Sequence, residues 1–317
     1  MKTLDFYKIQ FKGNSNRPDE EIFQLANEFK RSIEKLNIDY SIEIEAIANS
    51  VDIDPLWIYA LNSRSEIMNK FHIGENLDLN ECTSLYFKET KLIGQNWDWA
   101  SELEDLVVLT RIMQENKPDI LMMTEPGIIG KIGFNSNGLG VLLNFLHIDG
   151  FDPFSVPTHI LLRAVLDCNS IVESKELLTE YNCGRTSNIF VGDKFGNYFD
   201  IEYAGDEYFL FDDDNRDTFI HTNHYLGKEI NKDPVEYASS FARYERGLHL
   251  VSNIQNQDLE SFKQILLDKE NKDLAICRKY KPSLSGFLND TGTICSMIMN
   301  LEQLTMHITR GNPFENL

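Results

Sequence analysis

Cys82 opens an apolar run, Cys82-Thr83-Ser84-Leu85-Tyr86-Phe87, directly after a polar, turn-like stretch from Gly74 to Asn80. A second apolar run, 91–97, follows Glu89-Thr90-Lys91, and the two read as a β-hairpin. Asp98, in Gly94-Gln95-Asn96-Trp97-Asp98-Trp99, stands at the far end of the second strand. The hairpin therefore brings a thiol at the start of one strand within reach of a carboxylate at the end of its partner. A thiolate is the best side-chain nucleophile near neutral pH, so this pairing predicts covalent chemistry at Cys82. Cys168, Cys183, Cys277 and Cys295 lack such neighbours and read as small buried apolar residues in a reducing compartment. An odd number of cysteines without a Cys-x-x-Cys pair fits neither a disulfide framework nor a zinc site.

Three other stretches hold residues suited to chemistry. In His221-Thr222-Asn223-His224 two histidines suggest a metal pair, but no carboxylate at suitable spacing completes a set, and no metal is expected. Ser239-Ser240-Phe241-Ala242-Arg243-Tyr244-Glu245-Arg246 reads as the opening of a helix, where an arginine is ordinarily solvated. The glycine-dense stretch from Gly127 to Gly140 lies between strands with no helix behind it, which does not support a dinucleotide cradle.

The elements that must position these residues follow from periodicity. Residues 19–36 place Ile22, Leu25, Phe29, Ile33 and Leu36 at helical spacing after Pro18, with Asp19 as the N-cap. Helices over 42–50 and 55–63 complete a helical N-terminal segment, Pro55 lying in the first turn of the second. From Cys82 the texture changes to short β-rich runs at 82–88, 91–98, 105–113, 119–125, 130–136 and 139–147. Helices over 153–167 and 170–181 come next, then strands at 185–192, 196–203, 206–212 and 217–222, helices over 235–253 and 259–267, and strands at 293–300 and 303–309. Strands, helices, strands, helices is the order of two sheets packed face to face with helices outside.

Fifty acidic against thirty basic side chains give a formal charge of −20 in 317 residues. That field repels nucleic acid and anionic lipid, opposes an anionic acyl donor unless a local basic patch screens it, and favours a neutral or cationic substrate. The N-terminus shows no cationic head with an apolar stretch, and no run approaches the length of a membrane span, so a cytoplasmic location is expected.

Cys-Thr-Ser opening a strand, followed by Gly94-Gln95-Asn96-Trp97-Asp98-Trp99, resembles the acyl-coenzyme A:6-aminopenicillanate acyltransferase family, the C45 branch of the N-terminal-nucleophile (Ntn) hydrolases. Leu61-Asn62-Ser63-Arg64-Ser65-Glu66, the stretch from Gly127 to Gly140, His221 to His224 and Ser239 to Arg243 match in the family's order. The resemblance implies an α+β fold, a four-layer α-β-β-α sandwich of two antiparallel sheets, with residues 1–81 a helical propeptide and 82–317 the catalytic domain. It further implies a zymogen cut autocatalytically between Glu81 and Cys82. Cys82 then carries a free α-amino group, with a reference pKa of roughly 7.7–8.0, able to activate its own thiol. By the same resemblance Asp98 holds that amine, Asn223 donates to the oxyanion and Arg243 lowers the thiol pKa, while Asn144, Gln95 and Thr83 contact substrate. Gln95 stands where the related choloylglycine and acid-ceramidase-like amidases usually carry Arg, which points to the acyltransferase branch. Glu81 replaces the family's usual Gly, and Ala242 stands where some relatives have Ser. The expected activity is acyl transfer or hydrolysis on a small N-acylated molecule, without a cofactor but with acyl-coenzyme A open as a co-substrate, the cleaved propeptide remaining associated. Two other readings stay open: a non-catalytic scaffold of the same fold, and a papain-like hydrolase pairing Cys82 with His221, His224 or His249.

Overall fold

A computed structural model describes residues 1–13, 16–71, 82–146, 150–212, 216–229, 237–283 and 288–314. Glu81 and the turn-like stretch before it lie outside these residues. In chain order the elements are helices α1 (Lys2–Lys12), α2 (Asp19–Leu36), α3 (Ile38–Ser50), α4 (Pro55–Asn62) and α5 (Arg64–Phe71), then strands β1 (Thr83–Phe87), β2 (Leu92–Ala100), β3 (Val108–Ile112), β4 (Ile120–Thr124), β5 (Ile132–Asn135) and β6 (Leu139–Phe145). Helices α6 (Thr158–Asp167) and α7 (Ile171–Glu180) precede β7 (Ser187–Asp193), β8 (Tyr198–Ala204), β9 (Glu207–Phe211) and β10 (Thr218–His221). Helices α8 (Ala238–Asn253) and α9 (Leu259–Leu266) and strands β11 (Lys281–Pro282), β12 (Asp290–Asn300) and β13 (Thr305–Ile308) close the chain.

One antiparallel sheet runs β10-β1-β2-β12-β11, with β13 also on β12, and the other runs β3 to β9 in sequence order. The second is a meander of sequential antiparallel neighbours, interrupted between β6 and β7 by the excursion through α6 and α7. Helices α6 and α7 cover its outer face, and α8 and α9 cover the outer face of the first sheet. The result is the four-layer α-β-β-α sandwich expected. Strand β2 is buried along all nine residues because one face meets the opposite sheet and the other meets α9. Asn96 shows the helix side, its Nδ2 donating to the carbonyls of Leu266 and Ile276. Gln95 shows the sheet side: its Nε2 donates to the Leu143 carbonyl at 3.0 Å and its Oε1 accepts from the Leu143 N–H at 2.9 Å.

The N-terminal helices share the sandwich core. Ile22, Ala26, Phe29 and Ile33 form the buried stripe of α2, and Leu4, Tyr7 and Phe11 that of α1. Asn37 and Asp54 accept from the N–H groups of Asp39 and Leu56, capping α3 and α4. Polar contacts tie this layer to the sandwich as well, among them Tyr7 to Glu125 at 2.6 Å, Tyr40 to Asp167 at 2.9 Å and Arg163 to Glu43 at 2.8 Å.

Several boundaries differ from the periodicity. The Asn37 cap starts α3 at Ile38 rather than at 42. The run 105–113 splits into the end of a 3-10 helix, Ser101–Leu106, and β3. Helix α6 starts at Thr158, since the prolines at 153 and 157 keep the chain before it extended, with bridges from Phe151 and Val156 to Arg185 and Cys183. Helices α1 and α5 had no counterpart in the sequence reading. Among the described residues no helix is long and apolar enough to cross a membrane.

Candidate active site

Cys82 stands immediately before β1 and is 5% exposed. Its carbonyl oxygen accepts two hydrogen bonds, from Arg243 Nη1 at 2.7 Å and Asn144 Nδ2 at 3.1 Å. Asn144 lies on β6, and its orientation is set by Ser84, whose Oγ donates to Oδ1 and so turns Nδ2 toward Cys82. Arg243 lies on the buried stripe of α8 with Ser240 and Gly247. Besides Cys82 it donates to Thr83 Oγ1 at 3.0 Å, Ser239 Oγ at 3.2 Å and Asn223 Oδ1 at 2.9 Å. Asn223, just past β10, is fixed from two more sides: its N–H donates to Ser240 Oγ at 2.8 Å and its Nδ2 to the Phe145 carbonyl at 2.8 Å. The planar fork of one buried guanidinium thus ties β1, β10 and α8 together, which a lysine point charge does not reproduce.

Asp98 approaches from the partner strand. Asn96 faces α9, and strict alternation would send Asp98 there too; instead Asp98 lines the same pocket as Cys82. Strand β12 carries a bulge between Thr293 and Cys295, opposite Asp98 and Trp97, and bulges re-aim side chains in this way beside sites. Neither carboxylate oxygen of Asp98 completes a hydrogen bond among the described residues, and the group is 2% exposed. Burial raises its pKa to about 7 against the lowering pull of Arg243 and the Thr293 side chain. The thiol is pushed up to about 12, first by burial and then by the Asp98 charge, while the Asp98 N–H, Arg243 and Lys131 pull the other way. In the intact chain Cys82 is therefore held as a thiol. The same burial lowers the Arg243 pKa to about 10, opposed by Asp98 and Cys82.

The pocket that opens on Cys82 is walled by Met68, Trp97, Trp99, Leu143 and Phe145 and carries a polar floor. Glu125, fully buried, accepts from Tyr7 at 2.6 Å, Arg64 at 2.9 Å and Lys131 at 2.5 Å. These partners hold its carboxyl down at about 2 despite burial. Lys131 also lies 3.1 Å from the centre of the Trp97 ring and is lowered by burial to about 8. His159 lines the pocket too, but Arg64 occupies its Nε2 and its Nδ1 donates to the Gly130 carbonyl at 3.0 Å. A Cβ at Gly130 would meet the His159 carbonyl at 2.1 Å, so only glycine permits this approach. Burial and the Arg64 and Lys131 charges keep the ring neutral, with its pKa well below the usual histidine value.

The structure thus gathers Cys82, Thr83, Asp98, Asn144, Asn223 and Arg243 around one point. Gln95 lines the pocket as well, although both ends of its amide are committed to Leu143. Glu81 falls outside the described residues. His221 pairs with Glu202 at 2.7 Å, His224 contacts Ser240 and Thr222, and His249 is exposed; none of the three bonds to Cys82, which removes the base a papain-like mechanism needs. Sequence reasoning assigned no role to Arg64, Lys131, Glu125 or Arg185. The first two sat inside matched stretches whose charged members, against a glycine-rich or strand background, were the available signal.

Residues 87–315 match the family model described as acyl-coenzyme A:6-aminopenicillanic acid acyl-transferase, a span that contains Asp98, Asn144, Asn223 and Arg243. Over 293 residues the chain is 31% identical to the acyl-coenzyme A:6-aminopenicillanic-acid-acyltransferase 40 kDa form of Emericella nidulans, covering 90% of this chain and 79% of that protein. Among solved structures, a variant of the conjugated bile acid hydrolase from Clostridium perfringens superposes with a TM-score of 0.51 at 17% identity, over 73% of this chain and 89% of that one. The Caenorhabditis elegans ortholog of N-acylethanolamine-hydrolyzing acid amidase gives 0.50 at 15% identity, over 70% and 93%. At that identity the two structures show a shared fold, the Ntn-hydrolase sandwich.

Proposed function

This chain belongs to the acyl-coenzyme A:6-aminopenicillanic acid acyl-transferase family, and we propose on that basis that it is an N-terminal-cysteine acyltransferase or amidohydrolase working through a thioester on Cys82. The observation that carries the reading is the carboxylate of Asp98, buried beside Cys82, whose two oxygens complete no hydrogen bond among the described residues and draw on the Thr293 side chain and the Arg243 charge alone for relief. A buried carboxylate without donors is unfavourable by several kcal/mol in order of magnitude, and an ammonium formed at the Cys82 nitrogen supplies what it lacks. Such a nitrogen arises when the Glu81–Cys82 bond breaks.

In the maturation step the Cys82 thiol attacks the Glu81 carbonyl, the acyl group shifts from nitrogen to sulfur as the C–N bond breaks and frees the Cys82 α-amine, and water then hydrolyses the thioester to release the Glu81 carboxylate and restore the thiol. In turnover that amine accepts the thiol proton, and sulfur attacks the carbonyl of an amide or thioester. The Asn223 amide, oriented by Arg243 through its Oδ1, stabilises the oxyanion, with Asn144 beside it. The leaving group takes the proton and departs, and water or an acceptor amine resolves the thioester. Arg243 acts as a positioning residue that clamps the Cys82 carbonyl and as a fixed charge favouring thiolate. The cleaved helical segment stays bound because α1 to α5 contribute to the same apolar core as the sandwich.

Mass spectrometry of the purified protein tests this. The expected result is a fragment beginning at Cys82 whose thiol is labelled by an activated acyl probe; an intact chain that ignores the probe overturns it in favour of a scaffold. A panel of N-acyl amino acids, N-acyl amines and β-lactams then assigns the substrate class.

A further inference from the structure

The pocket beside Cys82 holds more positive charge than its own residues neutralise, although the chain as a whole is strongly acidic. Three cations line it, Arg64, Lys131 and Arg185. Arg64 and Lys131 share Glu125. Arg185, which bridges to Phe151 ahead of β7, makes no ion pair with a carboxylate among the described residues, unlike Arg64 and Lys131. It is 8% exposed; among the described residues its Nε has no hydrogen-bond partner, and its Nη1 donates to the Ser65 carbonyl at 3.4 Å. Glu66, the acid whose field it feels most, accepts instead from the Thr158 N–H at 2.8 Å, Thr158 Oγ1 at 2.6 Å and Ser65 Oγ at 3.1 Å. Burial lowers the Arg185 pKa to about 10, which leaves it charged at neutral pH. A buried guanidinium without an anion is unfavourable, and the natural remedy is a carboxylate in bidentate contact.

The position of Arg185 relative to the reacting atoms is set by one residue. Its guanidinium lies 4.2 Å from the centre of the Phe145 ring, and the carbonyl of the same Phe145 accepts from Asn223 Nδ2. The anion site and the oxyanion donor are thus a single residue apart, while Met68, Trp97, Trp99 and Leu143 offer apolar surface to the rest of a ligand.

We propose that Arg185 is a carboxylate-binding residue of this pocket, and that the substrate is an N-acyl amino acid or similar amide whose carboxylate lies close to the scissile bond and whose acyl chain is apolar. The proposal rests on the Cys82 reading above for the bond that is cut. It replaces the expectation of a neutral or cationic substrate: Arg64, Lys131 and Arg185 are the local basic patch that overrides the acidic field.

A matched pair tests it, N-decanoylglycine against the neutral N-decanoylethanolamine, which differ in the carboxylate alone at that end. The wild-type protein is expected to favour the acid at least ~10-fold in kcat/KM, and Arg185→Gln to bring the ratio near one by raising KM for the acid. Arg185→Lys should keep part of the preference, and it carries the comparison if Arg185→Gln fails to fold. Equal handling of the two compounds by the wild type, or an equal loss on both in Arg185→Gln, overturns the proposal. Calorimetric binding of the same pair to Cys82→Ala separates the two readings. Tighter binding of the acid that disappears with Arg185→Gln supports the anion site even if Cys82 performs no chemistry; absence of binding in this protein together with absence of turnover in the wild type overturns it.

Discussion

Arg243 donates from Nη1 to the carbonyl oxygen of Cys82 at 2.7 Å across 161 positions of sequence. The bond fixes the residue immediately before β1 by its backbone and leaves the thiol in the field of Asp98. The guanidinium fork also holds Thr83 and Asn223, so Arg243→Lys loses at least two of these bonds while keeping the charge. Expected is a fall in kcat of ~10²-fold or more with KM little changed, read by steady-state kinetics on an N-acyl substrate.

Asn223→Ala removes the amide whose Nδ2 faces the Phe145 carbonyl. Loss of a preorganised oxyanion donor lowers turnover ~10²–10³-fold. Single-turnover acylation of Cys82, followed by mass, should slow by the same factor, whereas a purely structural Asn223 would move thermal stability and leave the acylation rate of the folded fraction unchanged.

Asp98 gives a pH signature. Its folded pKa of about 7 lies above the ordinary 3.8, so the folded state keeps a proton that the unfolded state releases. Stability from this group is present below about pH 4, declines as pH rises through 4 to 7, and is flat beyond. Asp98→Asn removes the decline, a gain of up to ~4 kcal/mol at pH 8 that vanishes below pH 4. Denaturant melts of the intact chain at both pH values should show it, with activity abolished at each.

Gln95→Ala leaves both the N–H and the carbonyl of Leu143 without partners between the sheets. Each unfilled buried group costs about 1–3 kcal/mol, so a destabilisation of ~2–5 kcal/mol is expected by chemical denaturation. A Gln95 acting on substrate alone would change KM and leave the denaturation midpoint in place.

Glu125→Gln leaves Arg64 and Lys131 without their shared carboxylate in a fully buried setting. Breaking a buried pair from one side costs about 3–5 kcal/mol, and the loss should appear as a lower melting temperature. Glu125→Gln combined with Lys131→Met should recover part of it, since the second change removes one of the two stranded charges.

Much of the fold was readable from local pattern. The 82–97 hairpin, the alternation of strand and helix blocks and the stripe of α2 are periodicities of two and of 3.6, which neighbouring residues alone set. Helix α1 and the true start of α3 were harder: Leu4, Tyr7 and Phe11 make a sparse stripe, and the Asn37 cap overrides the weaker apolar signal at 38–41. At the site, Cys82 and Asp98 were legible because one hairpin carries both, and Asn144, Asn223 and Arg243 were named through family motifs whose order is linear.

What the sequence determined by itself is therefore the sandwich and the roster of groups around the thiol, since both are written in spacing and motif. The tertiary structure alone decided the charge of the pocket. Arg64, Glu125, Lys131 and Arg185 come from separate elements, and which cation keeps a carboxylate and which is left without one depends on how a helix, a turn and two strands converge in three dimensions. A net charge of −20 averages over that arrangement, because screening by solvent hides surface acids from a buried cavity while burial magnifies the few charges inside it.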